Sequence, residues 1–121
     1  MVASAMKLYS YAKCSTCLKA IQWLKQRGIQ PSPIDITETP PSQDELRLGL
    51  EQLGRQRLFN TSGLSYRALG SAAVKAMDDG QALAALAADG KLVKRPFLIT
   101  DQQQVVTGFK PEEWEALFPT P

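Results

Sequence analysis

Both cysteines of the chain lie in a single run, Lys7-Leu8-Tyr9-Ser10-Tyr11-Ala12-Lys13-Cys14-Ser15-Thr16-Cys17-Leu18-Lys19-Ala20, which couples a candidate chemistry to a local fold. Lys7 to Tyr11 is short and β-prone, whereas Ala20, Ile21, Leu24 and Lys25 recur at the helical spacing of about 3.6 residues that lays an apolar stripe on one face. The reading is strand, tight loop, helix, with the cysteines where the helix begins. Free backbone N–H groups and the helix dipole stabilise a thiolate there; in CxxC motifs they bring a free-cysteine pKa of about 8.5 into a range of roughly 3.5 to 7.5. Lys13 and Lys19 add positive charge nearby. Cys14, at the helix start, is expected to be the more exposed and reactive thiol. Cys17, a turn further in, is expected to face the sheet.

Attack by one thiolate followed by closure of a disulfide is the chemistry of a dithiol redox site, and two cysteines at this spacing are close enough for it. Two other uses of the spacing stay open. Structural zinc takes about four Cys or His ligands. The chain has no histidine and no third cysteine, so a zinc site would need carboxylates, and no bound metal is expected. The pair can also serve as plain core residues, since free cysteine is commonly buried. Beside a strand-helix pattern, CxxC reads most naturally as thioredoxin-like.

With 121 residues, 44% of them hydrophobic, the chain has room for one domain with its own core and none for a second. A net charge of +2 with acids and bases interspersed leaves no basic stripe, so direct nucleic-acid binding is not expected. No stretch approaches the roughly 20 apolar residues of a membrane span, and Met1 to Ala5 is too short for a signal peptide. The expected location is the cytoplasm, where a lone dithiol is more often catalytic or sensing than structural. Met6 is a second candidate start, which would make residues 1–5 a disordered extension and 6–121 the domain. Nothing in the sequence demands more than a monomer.

Along the chain, Gly28 should close the first helix. Ser32 to Asp35 is expected as an edge strand, because prolines 31 and 33 cannot donate to a ladder. Ser42 with Glu45 is a capping box for a helix through Leu46, Leu50 and Leu53, ended by Gly54. Leu58 to Gly63 reads as a loop, followed by a short helical piece at Tyr66 to Leu69 and alanine-rich helices at Ala72–Ala76 and Gln81–Ala88. Leu92 to Thr100 and Gln104 to Gly108 read as strands of an antiparallel hairpin. Pro111 opens a last helix that carries Trp114 and Leu117 inward. This order is an α/β thioredoxin plan with helices inserted between its second and third strands.

Four segments together make the chain resemble the ArsC/Spx family of thioredoxin-fold (glutaredoxin-like) proteins. They are Tyr11-Ala12-Lys13-Cys14-Ser15-Thr16-Cys17 with Lys19-Ala20, Leu58-Phe59-Asn60-Thr61-Ser62-Gly63, Lys94-Arg95-Pro96-Phe97-Leu98-Ile99, and Gly108-Phe109-Lys110-Pro111-Glu112-Glu113. The resemblance implies that Cys14 is the nucleophile and Cys17 the resolving thiol, that Pro96 is cis and packed beside Cys14, and that Arg95 stands by the nucleophile. There its planar fork suits an oxyanion or thiolate. Lys13, Ser15 and Thr16 are the other candidates for stabilising thiolate or substrate. The resemblance further implies no bound cofactor and an external thiol reductant, either glutathione with glutaredoxin or thioredoxin. Arsenate-reducing members carry arginines where this chain has Asn60 and Leu18, Lys110 stands near the place of another, and Ser10 replaces a histidine. The second cysteine instead resembles the Spx/MgsR branch, redox-sensing regulators that bind RNA polymerase. Gly54 falls at the spacing of a glycine that this branch uses to contact the polymerase α subunit, and is equally a helix C-cap.

Overall fold

A four-stranded sheet in the order β2-β1-β3-β4 organises the protein in a computed structural model that describes residues 6–118. The extension expected at residues 1–5 lies outside the described residues. Strand β1 (Lys7–Ser10) runs parallel to β2 (Ile34–Asp35) and antiparallel to β3 (Phe97–Ile99), which pairs antiparallel with β4 (Val105–Thr107). The period-two alternation of strands divides the core between the two faces. Leu8, Leu98 and Val106 join one buried cluster, while Tyr9, Phe97, Ile99 and Val105 join the other.

Helix α1 (Ser15–Gln26) bridges the parallel pair, and its Ala20 and Leu24 share the Leu8 cluster with Trp114 of α6 (Pro111–Leu117). The insertion carries α2 (Gln43–Leu53), α3 (Leu64–Leu69), α4 (Ser71–Ala76) and α5 (Asp79–Ala88), with tight 3₁₀ turns at Arg55–Arg57 and Gly90–Leu92. Leu46, Leu83 and Leu86 of these helices cover the opposite face.

The capping box on α2 forms as its sequence predicts: Glu45 N–H donates to the Ser42 hydroxyl at 3.1 Å and Ser42 N–H to Glu45 Oε1 at 2.9 Å. The same carboxylate also ties α2 to β1. It accepts from the Tyr9 hydroxyl at 2.7 Å and from Lys7 Nζ at 2.9 Å. Burial opposes its charge, but the Ser42, Tyr9 and Lys7 donors outweigh that and hold its carboxyl below the usual range. Burial, reinforced by the Glu45 bond, pushes the Tyr9 hydroxyl well above the ordinary phenol range.

Two strands are shorter than their sequences suggest. Ordered pairing at β2 is confined to Ile34–Asp35, since prolines 31 and 33 contribute no N–H. The run Leu92–Thr100 is not one strand. Its first part turns aside to pair with the insertion, Lys94 N–H donating to the Leu58 carbonyl and Asn60 N–H to the Leu92 carbonyl, both at 2.7 Å. Pro96, preceded by a cis peptide, has no N–H to offer, and sheet pairing starts at Phe97. Among the described residues no helix is long and apolar enough to cross a membrane.

Gly90 marks where the insertion closes onto the sheet, for a Cβ at this buried position would run into the backbone carbonyl of Ile36. Gly90→Ala is therefore expected to lower stability in urea unfolding by about 3 kcal/mol or more, against roughly 1 kcal/mol for an average substitution. An unchanged midpoint would mean that the Ile36 backbone yields freely.

Candidate active site

The Tyr11–Cys14 turn is closed by Cys14 N–H donating to the Tyr11 carbonyl at 3.0 Å. Cys14 is then the N-cap of α1, in extended conformation, and its Sγ accepts the Cys17 backbone N–H at 3.3 Å. A sulfur thus fills the place a serine or aspartate oxygen usually takes at a helix start, and it sits at the positive end of the helix dipole. Cys14 is half-buried while Cys17 is fully buried, and both are free thiols. Burial, followed by the Cys14 sulfur beside it, pushes the Cys17 thiol up to about 11, despite bonds from the Tyr11 backbone and Ser10 hydroxyl. At neutral pH Cys17 is a protonated thiol held directly behind the N-cap sulfur.

Cys14 lines a cavity of about 450 Å³ with Thr16, Asn60, Lys94, Arg95 and Lys110 around it, and among the described residues no carboxylate belongs to its wall. Arg95 lies over the Tyr11 ring, its Cζ 4.9 Å from the centroid. One of its terminal nitrogens, Nη1, is buried with no hydrogen-bond partner among the described residues. A buried donor without an acceptor costs about 1–3 kcal/mol, more when charged. Pro96, next along, is buried.

Of the residues singled out from the sequence, the cavity gathers Cys14, Thr16 and Arg95. Cys17 lies behind it. Lys13 and Ser15 are exposed and form no part of its wall, because the turn directs the cavity toward the Asn60 loop. Gly54 stands apart, exposed at the end of α2 with φ of 85°, and the C-cap geometry alone accounts for a glycine there. Among the described residues no group of three or more His, Cys, Asp or Glu is placed to hold a metal ion.

Two cationic residues of the cavity, Lys94 and Arg57, are not singled out by the sequence. Lys94 was visible only as the neighbour of Arg95. Arg57 sits in the turn before the Asn60 loop and is fixed from a distance: its Nη atoms donate to both Glu113 oxygens at 2.9 and 3.1 Å and to the Thr107 carbonyl at 2.9 Å. The Thr107 hydroxyl donates back to the Arg57 carbonyl at 2.5 Å. The hydrogen bonds from Arg57 hold the Glu113 carboxyl below the usual range. Only the Arg-Gln-Arg spacing upstream of the loop and the Glu-Glu pair after Pro111 hinted at this contact.

The model of the ArsC family matches residues 9–117. The chain belongs to the ArsC family. It is 41% identical to the uncharacterized protein YusI of Bacillus subtilis, over 92% of this chain and 96% of that one. It is 28% identical to an arsenate reductase of Escherichia coli, over 95% of this chain and 87% of the relative. The crystal structure of an ArsC family related protein from Bacteroides fragilis superposes with a TM-score of 0.84 at 38% identity, covering 96% of this chain and 99% of the other. These ArsC relatives carry the thioredoxin-like fold, and membership supports a thiol redox role.

Brief alkylation at mildly acidic pH followed by peptide mapping should label Cys14 first, since Cys17 is both buried and held protonated. Preferential labelling of Cys17 would exchange their roles. The Arg57–Glu113 pair has a separate pH signature. The folded carboxyl titrates below its unfolded value of about 4.3, so its contribution is full above that value and is lost as pH falls through the folded one. Glu113→Gln should therefore destabilise the protein more at pH near 7 than at pH near 3, as measured by urea unfolding. An equal loss at both would remove the ion pair from the account.

Proposed function

We propose that this ArsC family protein is a thiol oxidoreductase in which Cys14 attacks a disulfide or oxyanion substrate and Cys17 resolves the adduct. The observation that carries the reading is the half-buried Cys14 sulfur at a helix N-cap, opening on a carboxylate-free cationic cavity with a protonated thiol directly behind it. With a disulfide substrate, the Cys14 thiolate bonds to one substrate sulfur and expels the other as thiolate. Cys17 then loses its proton and attacks Cys14 Sγ, closing the Cys14–Cys17 disulfide and releasing the second substrate thiolate. The substrate gains two electrons and the dithiol loses two. An external thiol, glutathione with glutaredoxin or thioredoxin, then restores the dithiol. In this scheme Arg95, which lines the cavity with Cys14, holds the anionic sulfur or oxygen as it develops.

Treating the reduced protein with a model disulfide tests the scheme. The parent should end as the intramolecular disulfide, lighter by about two protons. Cys17→Ser should stop at a mixed disulfide on Cys14, and Cys14→Ser should be inert. Arg95→Ala should slow the first step by about tenfold, the worth of one charge-assisted hydrogen bond, without lowering its unfolding midpoint. A mixed disulfide trapped on Cys17, or a parent that never oxidises, would overturn the proposal.

A second reading, a redox-sensing regulator that binds the RNA polymerase α subunit, draws on Gly54. Its position is exposed, with nothing within 4 Å of where a Cβ would stand, so a partner has access to the backbone there. Retention of purified α subunit by the reduced but not the oxidised protein would favour that role over turnover.

A further inference from the structure

The cavity at Cys14 does not end at Arg95. A second hollow of about 410 Å³ opens on the far side and shares Asn60, Ser62, Gly63 and Arg95 with the first. The two adjoin through these shared residues as halves of a groove with Arg95 and the Asn60 loop as its waist and Cys14 in one half. Its cations lie along the whole length: Lys94 and Lys110 beside Cys14, Arg95 at the waist, Lys91 in the second half. Among the described residues no Asp or Glu lines either half. Arg57 is paired with Glu113, whose carboxylate also feels Lys110 and Lys94 at longer range, and none of the other four cations has an ion pair of its own among the described residues. A single small oxyanion would occupy only the Cys14 half. It would leave Lys91 unused, as well as Leu64, which rims the second half with 81% of its surface exposed.

Building on the thiol redox reading above, we propose that the substrate disulfide is borne by an extended acidic polypeptide segment laid along both halves of this groove. The substrate cysteine sits at Cys14, its flanking carboxylates meet Lys94, Arg95 and Lys91, and an apolar side chain rests on Leu64. The redox step is the one already written: the segment leaves as a thiol after Cys17 closes on Cys14, and an external thiol regenerates the dithiol. The second half of the groove contributes binding and orientation only. Attraction between exposed charges fades within a Debye length of about 10 Å at 0.1 M salt, so selection for acidic segments should weaken as salt is raised.

The test uses the full reduced chain and synthetic cysteine peptides of about eight residues, which reach roughly 28 Å when extended. Each is coupled through a disulfide to one chromophoric aryl thiol, whose release is followed in a single turnover. Peptides with acidic, uncharged and basic flanks are compared with an acidic tripeptide. The acidic long peptide should react at least about tenfold faster than the basic one at low salt, the scale on which complementary charge raises encounter rates. It should also outpace the tripeptide, and Lys91→Glu should narrow that ratio. Equal rates for long and short acidic peptides, or a ratio untouched by Lys91→Glu, would overturn the groove while leaving the redox reading intact. No release from any peptide would overturn the redox reading, and the groove proposal with it.

Discussion

The stripe Cys17, Ala20, Leu24 on α1 is the constraint from which the site follows. All three side chains are fully buried, and burying them fixes the rotation of the helix against the sheet. A residue three positions before Cys17 on the same helix lies on nearly the same face, one turn nearer the end. Cys14 therefore comes to the mouth of the site with its sulfur over the Cys17 N–H, neither sunk in the core nor turned to solvent. The difference between the thiols comes from depth. Three residues of one turn carry one cysteine from a half-open cap to a place where burial holds the other protonated.

The opposite wall is assembled from sequence-distant pieces, each held by a different kind of contact. Backbone bonds between Leu58–Asn60 and Leu92–Lys94 bring the insertion to the start of the third strand. The Arg57–Glu113 fork and the Thr107 hydroxyl pin the turn before the Asn60 loop to the last strand and helix. Arg95 is set between the halves by its contact with Tyr11, the residue whose carbonyl closes the Cys14 turn. The cationic character of the groove thus comes from the insertion and the C-terminal third, while the thiols come from the first strand and helix.

Two of the best-formed features were plain in the sequence because their causes are local. The α2 capping box needs only Ser42 and Glu45 at their spacing, and the end of that helix needs only a glycine free to take φ of 85° at Gly54. The boundaries of β2 and β3 were less legible. Propensity favours a strand from Leu92 through Lys94, but the Leu92 carbonyl and the Lys94 N–H are claimed by a segment more than thirty residues earlier, which local preference cannot register. Glu45 shows both sides at once. Its capping role is written within four residues, whereas its bonds to Lys7 and Tyr9 depend on how α2 lies over β1.

The sequence by itself determined that two thiols would stand at the head of a helix following a strand, in an α/β plan with helices inserted before a closing hairpin, since these rest on spacing, caps and alternation within short windows. It also supplied Arg95 as a candidate through a resemblance. Only the tertiary structure decided which candidates meet. It left Lys13 and Ser15 in solvent, brought Arg57 and Lys94 to the wall of the Cys14 cavity, and set a second hollow, lined by Lys91, against Arg95. The physical reason is that a groove wall is a matter of long-range packing and pairing. The partners that fix Arg57 lie 50 and 56 residues away, and no local pattern encodes a contact at that separation.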